Sequence, residues 1–212
     1  MKFSKNQLER YPIYLKYFNE LEDDGQEYVS SPSIAAKLGF SEEQVRKDLQ
    51  AISNEQGKPK KGRSVRSLIR DIETFLGYKD ETKAVLIGVG HLGGALLNYP
   101  AFKNMGLAIV AGLDSDKNKI GTSVGGIEIY SPDKLKEILK KNDAKIVVIA
   151  VPATHAQRVA DEAIASGAKA IWNFAPAHLE VEENIVVENV NLASSLAVLS
   201  HRLNLAVAKE RK

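Results

Sequence analysis

The sequence contains no cysteine, which excludes disulfides, thiolate metal sites and cysteine nucleophiles. Long hydrophobic runs are missing too: a stretch such as Ile146 to Pro152 is far too short to span a bilayer. The N-terminus, Met-Lys-Phe-Ser-Lys-Asn-Gln, has no apolar segment and no small-residue cleavage site, so we expect a cytoplasmic protein with no membrane partner. Nor is there an excess of one charge, since 29 Lys and Arg stand against 27 Asp and Glu for a net of +2. A balance that small argues nothing about nucleic acid, because charge acts through its distribution. What is present, 44% hydrophobic and 26% charged residues in 212, is ordinary globular texture with room for two modest domains.

The distribution of charge is uneven. Lys58, Lys60, Lys61, Arg63, Arg66 and Arg70 follow one another without an acid between them. Alone, such a run reads equally as a solvated helix start.

Residues 1 to about 78 read as short helices separated by polar turns. Tyr14, Leu15, Tyr17, Phe18 and Leu21 recur at helical spacing before the turn Glu22-Asp23-Asp24-Gly25. Ser31-Pro32 reads as an N-cap with proline at the first helical position, opening a helix that ends near Gly39. Ser41 starts the next, with Gln44 completing a capping box. After a break at 57–62, Val65, Leu68, Ile69, Ile72, Phe75 and Leu76 form another apolar stripe that Gly77 ends. From Thr82 the texture changes to short apolar strands alternating with helices. We expect strands at 83–88, 107–113, 126–129, 145–151 and 170–174, with helices at 92–99, 153–166 and from the cap Ser131-Pro132-Asp133 to about Lys141. Alternation of this kind calls for a parallel sheet covered by helices, ending near Pro176.

Two motifs carry chemistry. The first is Gly88-Val-Gly90-His91-Leu92-Gly93, which follows a buried strand, opens a helix and precedes a second strand ending at Asp114. Gly88 permits the tight turn, Gly90 the approach of backbone to a pyrophosphate, and Gly93 close packing of helix on strand. Asp114 would accept from ribose hydroxyls and repel a 2′-phosphate, so NAD(H) is expected over NADP(H). The second motif is Ala35, Gly39 and Val45, spaced as a helix-turn-helix requires. On its second helix Val45, Leu49 and Ile52 line one side, leaving Gln44, Arg46, Lys47 and Gln50 for base edges or phosphates. The segment with Lys58, Lys60, Lys61 and Arg63 then falls where a wing would lie beside the DNA backbone. Together these point to double-stranded DNA as partner.

Catalytic and metal roles find no constellation among the 4 histidines. His155 reads equally as facing a nicotinamide or as a surface residue. Past Pro176 too few residues remain for a substrate domain. They carry Leu192, Leu196, Leu199, Leu203 and Ala206 at spacings of four and three, a seam for a helix of the same chain or of a second subunit.

At this point the sequence resembles the Rex family of redox-sensing transcriptional repressors. The stretches that carry the resemblance are 10–16, 31–36 beginning at Ser31, 44–49, 88–93, Asn98-Tyr99-Pro100, Val151-Pro152-Ala153, 155–157, Asn173-Phe174-Ala175-Pro176 and 188–190. The resemblance implies an α/β protein: a winged helix-turn-helix domain over 1–78, a Rossmann domain over 79–190, and a C-terminal helix over 191–212 exchanged in a homodimer. It implies no enzyme but a repressor that binds operators when NAD+ dominates and leaves them with NADH. It places the nicotinamide at Val151 to Ala153 and Asn173 to Pro176, draws Tyr99 into the cofactor set and Ser31 into the DNA set, and couples the domains through positions 16 and 191. Alternatives of other classes are an oxidoreductase with an accessory helical domain, and a nucleotide-responsive module that no longer binds DNA. Three departures stand out. Similar proteins usually carry an Arg-Gly-x-Gly-Tyr wing where this chain reads Lys58-Pro-Lys-Lys-Gly62-Arg63-Ser64-Val65, and often arginine where it has Lys16 and aspartate where it has Asn191.

Overall fold

Helix α1 (Lys5–Asp23) starts where the Ser4 side chain accepts the Gln7 N–H, and it buries Tyr11, Tyr14, Leu15, Tyr17, Phe18 and Leu21 on one face. The computed structural model to which it belongs describes residues 3–53 and 62–210, and divides into the units Met1–Asp80 and Glu81–Lys212. The first unit continues with β1 (Tyr28–Val29), α2 (Ser31–Leu38), α3 (Glu42–Ile52), β2 (Arg63–Ser64) and α4 (Val65–Leu76). Ile34, Val45, Leu49, Leu68 and Ile72 close its core against the aromatic face of α1. Side chains buried so fully stabilise a fold by about 1.5–3 kcal/mol each. β1 and β2 pair antiparallel, Tyr28 against Ser64 and Val29 against Arg63, making the base of a wing.

The helix-turn-helix is built as its sequence implied. Ala35 and Val45 are buried where the helices touch, and Gly39 takes the left-handed φ of +72° that ends α2. Its start differs by one residue. Ser30, not Ser31, is the N-cap: its hydroxyl accepts the Ser33 N–H at 3.2 Å, leaving Ser31 and Pro32 inside the first turn, where the missing proline N–H costs nothing.

The second unit holds β3 (Thr82–Ile87), α5 (His91–Leu97), α6 (Ala101–Asn104), β4 (Leu107–Leu113), β5 (Ser123–Val124), β6 (Ile127–Tyr130), α7 (Leu135–Asn142), β7 (Ile146–Ile149), α8 (Ala153–Ala165), β8 (Ala170–Asn173), β9 (Val186–Asn189) and α9 (Leu192–Glu210). Its sheet runs β5-β6-β4-β3-β7-β8-β9, with only β5 antiparallel. Counted by appearance, the parallel strands stand in the order 3-2-1-4-5-6 of dinucleotide-binding folds, whose direction of winding reverses between β3 and β7.

Three expectations need correction here. The strand expected at 126–129 is β6, and it forms a hairpin with β5 across Gly125 and Gly126, both at positive φ. Ser131 makes no side-chain cap; a short 3₁₀ turn, Pro132–Lys134, leads into α7 instead. The sheet does not end near Pro176, because β9 pairs parallel with β8 from Ala170↔Val186 to Asn173↔Asn189. An edge strand that leaves Val186 67% exposed has little apolar pattern to show. Along α9, Leu196, Leu199 and Leu203 are exposed at 63, 63 and 59%, so nothing among the described residues covers that part of the leucine seam. Among the described residues no helix is long and apolar enough to cross a membrane.

Candidate functional site

β3 passes into α5 through Gly88-Val89-Gly90 at the sheet's point of reversal. Gly88 has φ +97°, and a Cβ there would lie 2.6 Å from the Ala150 carbonyl oxygen of the neighbouring strand's exit. A Cβ on Gly93 would collide with the Gly88 carbonyl oxygen, so helix and turn touch backbone to backbone. At Gly90 a Cβ would meet nothing within 4 Å, and the peptide lies open. The first N–H groups of a helix have no acceptor within it, so those of His91 and Leu92 remain for a ligand. Both side chains are exposed.

Asp114 follows β4 immediately. Its Oδ2 accepts the Val89 N–H at 2.9 Å and the Lys119 ammonium at 3.0 Å, and its Oδ1 accepts the Asp116 N–H at 2.9 Å. Burial pushes the carboxyl up, but the Asp116 N–H, the Lys119 charge and the Val89 N–H outweigh it and hold the group below its ordinary value. Gly88, Gly90, Asp114, Lys119, Val151 and Pro152 line one cleft of about 390 Å³. Sequence reasoning missed Lys119, whose position in a polar loop five residues after the acid gives no periodic signal. His155, left open above, stands in the wall of this cleft with Arg158.

The other residues expected at the nicotinamide are divided. Phe174, Ala175 and Pro176 line a second concavity of about 640 Å³, with His178, Asn189 and Asn191. Asn173 is fully buried and holds that loop together: its Nδ2 donates to the Ala177 carbonyl and to Asn189 Oδ1, both at 2.9 Å, and its Oδ1 accepts the Ala175 N–H at 3.0 Å. It is an organising residue, with its amide already committed. Ala153 begins α8 and is exposed. Tyr99, 51% exposed, stands apart in a groove with Phe102, Gly125 and Gly126. Its link to Phe174 runs through ring contacts, Tyr99–Phe102 at 4.9 Å, Phe102–Trp172 at 5.4 Å and Trp172–Phe174 at 4.8 Å.

In the first unit α3 is capped by Ser41, which accepts the Gln44 N–H at 3.2 Å. Arg46, Lys47 and Gln50 are exposed on it and Gln44 is half-buried, while Val45 and Leu49 face the core. Lys47 pairs with Glu43 at 2.7 Å. Ser31 is half-buried at the start of α2, and Arg63 half-buried in β2. Lys58, Lys60 and Lys61 lie outside the described residues. Lys16 is exposed on α1, Asn191 Oδ1 accepts the Ser194 N–H at 3.0 Å and caps α9, and the Leu192 backbone opens that helix. Arg10 and Asp48, which entered the sequence analysis only inside the stretches that resemble the Rex family, bind each other between α1 and α3.

Among protein families, residues 79–177 match the model described as "CoA binding domain" and residues 2–50 the one described as "Putative DNA-binding protein N-terminus". The chain is 41% identical over 195 residues to the redox-sensing transcriptional repressor Rex of Treponema denticola, covering 92% of each. It is 41% identical over 197 residues to that of Bacteroides thetaiotaomicron, covering 93% of this chain and 89% of the relative. Among solved structures it is similar to RSP, a Rex-family repressor, with TM-score 0.89 and 28% identity over 100% of this chain and 98% of that one. RSP in complex with beta-NAD+ and operator DNA gives TM-score 0.90 at 29% identity, over 100% and 97%. RSP in complex with beta-NADH gives 0.89 at 29%, over 100% of both.

Proposed function

Since the chain belongs to the Rex family of redox-sensing transcriptional repressors, we propose that it binds double-stranded operator DNA when NAD+ dominates and is released by NADH. The observation that carries this reading is the glycine turn tied to Asp114 at the sheet's reversal point, in a chain whose other unit presents Arg46, Lys47 and Gln50 on a helix-turn-helix. The nicotinamide cofactor is a sensed ligand and nothing is turned over, a reading supported by the similarity to redox-sensing repressors and to RSP in complex with beta-NAD+ and operator DNA. The working division is a winged helix over 1–78, a Rossmann domain over 79–190 and a C-terminal helix over 191–212 that a second copy receives. The exposed leucines of α9 support a homodimer, as the two half-sites of a helix-turn-helix operator do. The place of action is the cytoplasm.

The residues present fit the cofactor, which would supply the redox signal through the charge of its ring. Gly88, Gly90 and Gly93 leave backbone bare where a diphosphate needs close approach. Asp114 holds a negative charge beside the position of the adenosine ribose. These groups meet the same atoms in both redox states and cannot tell them apart. Discrimination belongs to the nicotinamide end, where Val151, Pro152 and Phe174 present apolar surface. Such surface favours the neutral reduced ring, because burying an unpaired charge is costly. A ligand that prefers one dimer arrangement shifts the population toward it, and the linkage to DNA is reciprocal.

The test is a titration of a duplex selected from a random pool, with no cofactor, with NAD+ and with NADH. NADH should weaken binding and NAD+ leave it unchanged or strengthen it. Operator binding indifferent to both cofactors overturns the reading.

A further inference from the structure

Among the described residues Asp48 is the only charged side chain that is buried, at 2% exposure, and it stands on the helix assigned to DNA. Each of its carboxylate oxygens is taken by α1: Oδ1 accepts Arg10 Nη2 at 2.8 Å, and Oδ2 accepts Arg10 Nε at 2.6 Å and the Tyr14 hydroxyl at 2.9 Å. Its backbone carbonyl accepts the Tyr11 hydroxyl at 3.0 Å. Arg10 is itself steadied by donating Nη1 to the Asn6 carbonyl at 2.9 Å. Three side chains of α1 thus converge on one residue of α3.

Stability alone does not call for this arrangement. A buried ion pair recovers little more than its own desolvation, and apolar residues of similar volume often serve a core as well or better. What the pair adds is geometry. Two parallel N–H···O bonds from a planar guanidinium fix distance and orientation together, which packed methyl groups do not. On a helix with 3.6 residues per turn, a slip of one position would turn every side chain by about 100°. Arg46, Lys47 and Gln50 are exposed on the same helix, and Lys47 and Gln50 share one concavity with Arg10 and Asp48, so a turn of α3 about this contact moves all three.

We infer that Asp48, gripped by Arg10 and Tyr14, is the positioning residue that sets the register and azimuth at which α3 presents its DNA-reading side chains. The inference rests on the repressor reading above. It predicts that sequence discrimination depends on the grip while general attraction to DNA does not, because phosphate contacts tolerate small rotations that base-edge contacts do not.

The experiment compares wild type, Tyr14→Phe, Arg10→Lys and the apolar double variant Arg10→Met/Asp48→Leu. Each is titrated with the selected duplex and a scrambled one over a range of salt, with NADH affinity and thermal unfolding alongside. The double variant, in which the buried Tyr14 hydroxyl loses its acceptor, should unfold somewhat earlier than wild type, yet bind NADH and scrambled DNA as before with the same salt slope and lose operator preference by about tenfold or more, equivalent to about 1.4 kcal/mol. Arg10→Lys and Tyr14→Phe, which each keep part of the grip, should fall between, and they decide the matter should the double variant fail to fold. Unchanged operator preference in folded variants overturns the inference, as does a parallel fall in binding of both duplexes. A wild type that shows no operator preference overturns the repressor reading itself, and this inference with it.

Discussion

The carboxylate of Asp114 accepts the backbone N–H of Val89 at 2.9 Å, so the acid that ends β4 is tied to the middle of the glycine-rich turn that follows β3. The same oxygen lies 3.0 Å from the Lys119 ammonium. Removing the acid therefore does more than delete a repulsive charge. On the cofactor reading proposed above, Asp114→Ala leaves Lys119 without its Asp114 partner beside the site of a 2′-phosphate. NADH should bind less tightly and NADPH more tightly, narrowing the preference by about tenfold or more, or about 1.4 kcal/mol. Lys119→Ala in the same background should restore part of the gap. Titrations followed through the fluorescence of Trp172 measure both, and a gap that Asp114→Ala leaves unchanged would separate this acid from cofactor choice.

Two adjacent glycines of α5 should respond oppositely to the same change. A Cβ on Gly93 collides with the Gly88 carbonyl oxygen and lies 3.1 Å from Leu86 Cδ2, whereas one on Gly94 meets nothing within 4 Å. Gly93→Ala should abolish NADH binding and destabilise the unit. Gly94→Ala should bind NADH normally and gain stability of about 0.5–1 kcal/mol from its better helix propensity. Loss of binding in both would mean that the turn depends on glycine for mobility rather than for clearance.

What was legible in the sequence was local. Gly88 takes a left-handed φ, Gly93 clears the Gly88 carbonyl five residues back, and Gly39 and Gly77 take the left-handed end of one helix each, so their types announce their jobs. What was illegible depended on partners far along the chain or on little pattern at all. Asp48 sits on a helix face where a charge ordinarily means water, and its partner Arg10 lies 38 positions earlier. Ser30 and Ser31 are chemically equivalent, and only the extended backbone of Ser30 decides which one caps. Val186 to Asn189 joins the sheet through main-chain bonds that leave most of its side chains outside. Asn173, placed in the cofactor set by sequence, also ties its own loop through both ends of its amide, a role no local pattern announces.

On α3, the helix proposed to read DNA, Lys47 is held by Glu43 at 2.7 Å while both side chains stay exposed. An exposed pair of this kind competes with a phosphate for the same ammonium. Glu43→Gln should strengthen binding to all duplexes and steepen its salt dependence, and Lys47→Ala should do the reverse, lowering the salt slope by about 1. Arg46→Ala should act on sequence preference instead, costing about 1–3 kcal/mol on the selected duplex if it reads a base edge. Identical effects of Arg46→Ala on selected and scrambled duplexes would reassign it to the backbone.

The first unit should be sensitive to strong alkali. Burial pushes the Tyr11 hydroxyl up to about 12 from its ordinary 10.0, with the Asp48 charge adding to it, and Tyr14 is raised by burial and by its bond to Asp48. The fold therefore favours the neutral phenols. Their contribution is fully present below about pH 10, the ordinary value, and is lost as the pH rises toward the raised one. Ultraviolet titration should show tyrosinate from these two residues appearing late and together with unfolding of this unit. Early, reversible ionisation of all 7 tyrosines would contradict the buried network.

The last prediction concerns how the two activities are coupled. Asn191 already uses its Oδ1 to cap α9 through the Ser194 N–H, and it has no charge with which to meet a cation. Asn191→Asp keeps an oxygen for that cap and places a negative charge at a helix start, where the dipole favours it. Lys16 is a point charge on a flexible stem, whereas arginine offers a planar fork to a carboxylate. The resemblance to Rex repressors implies an arginine and an aspartate at these two positions, acting between subunits. Within such a pair, Lys16→Arg alone would meet a neutral amide, and Asn191→Asp alone would meet an ammonium, a point charge without arginine's fork. The double variant should therefore raise the factor by which NADH weakens operator binding, by up to about tenfold, or about 1.4 kcal/mol of coupling. Linkage requires that operator DNA then weaken NADH binding by the same added factor, so the two titrations check each other. Wild type, both single variants and the double variant should be titrated with the selected duplex at zero and saturating NADH. If all four respond to NADH equally, positions 16 and 191 do not carry the switch in this protein.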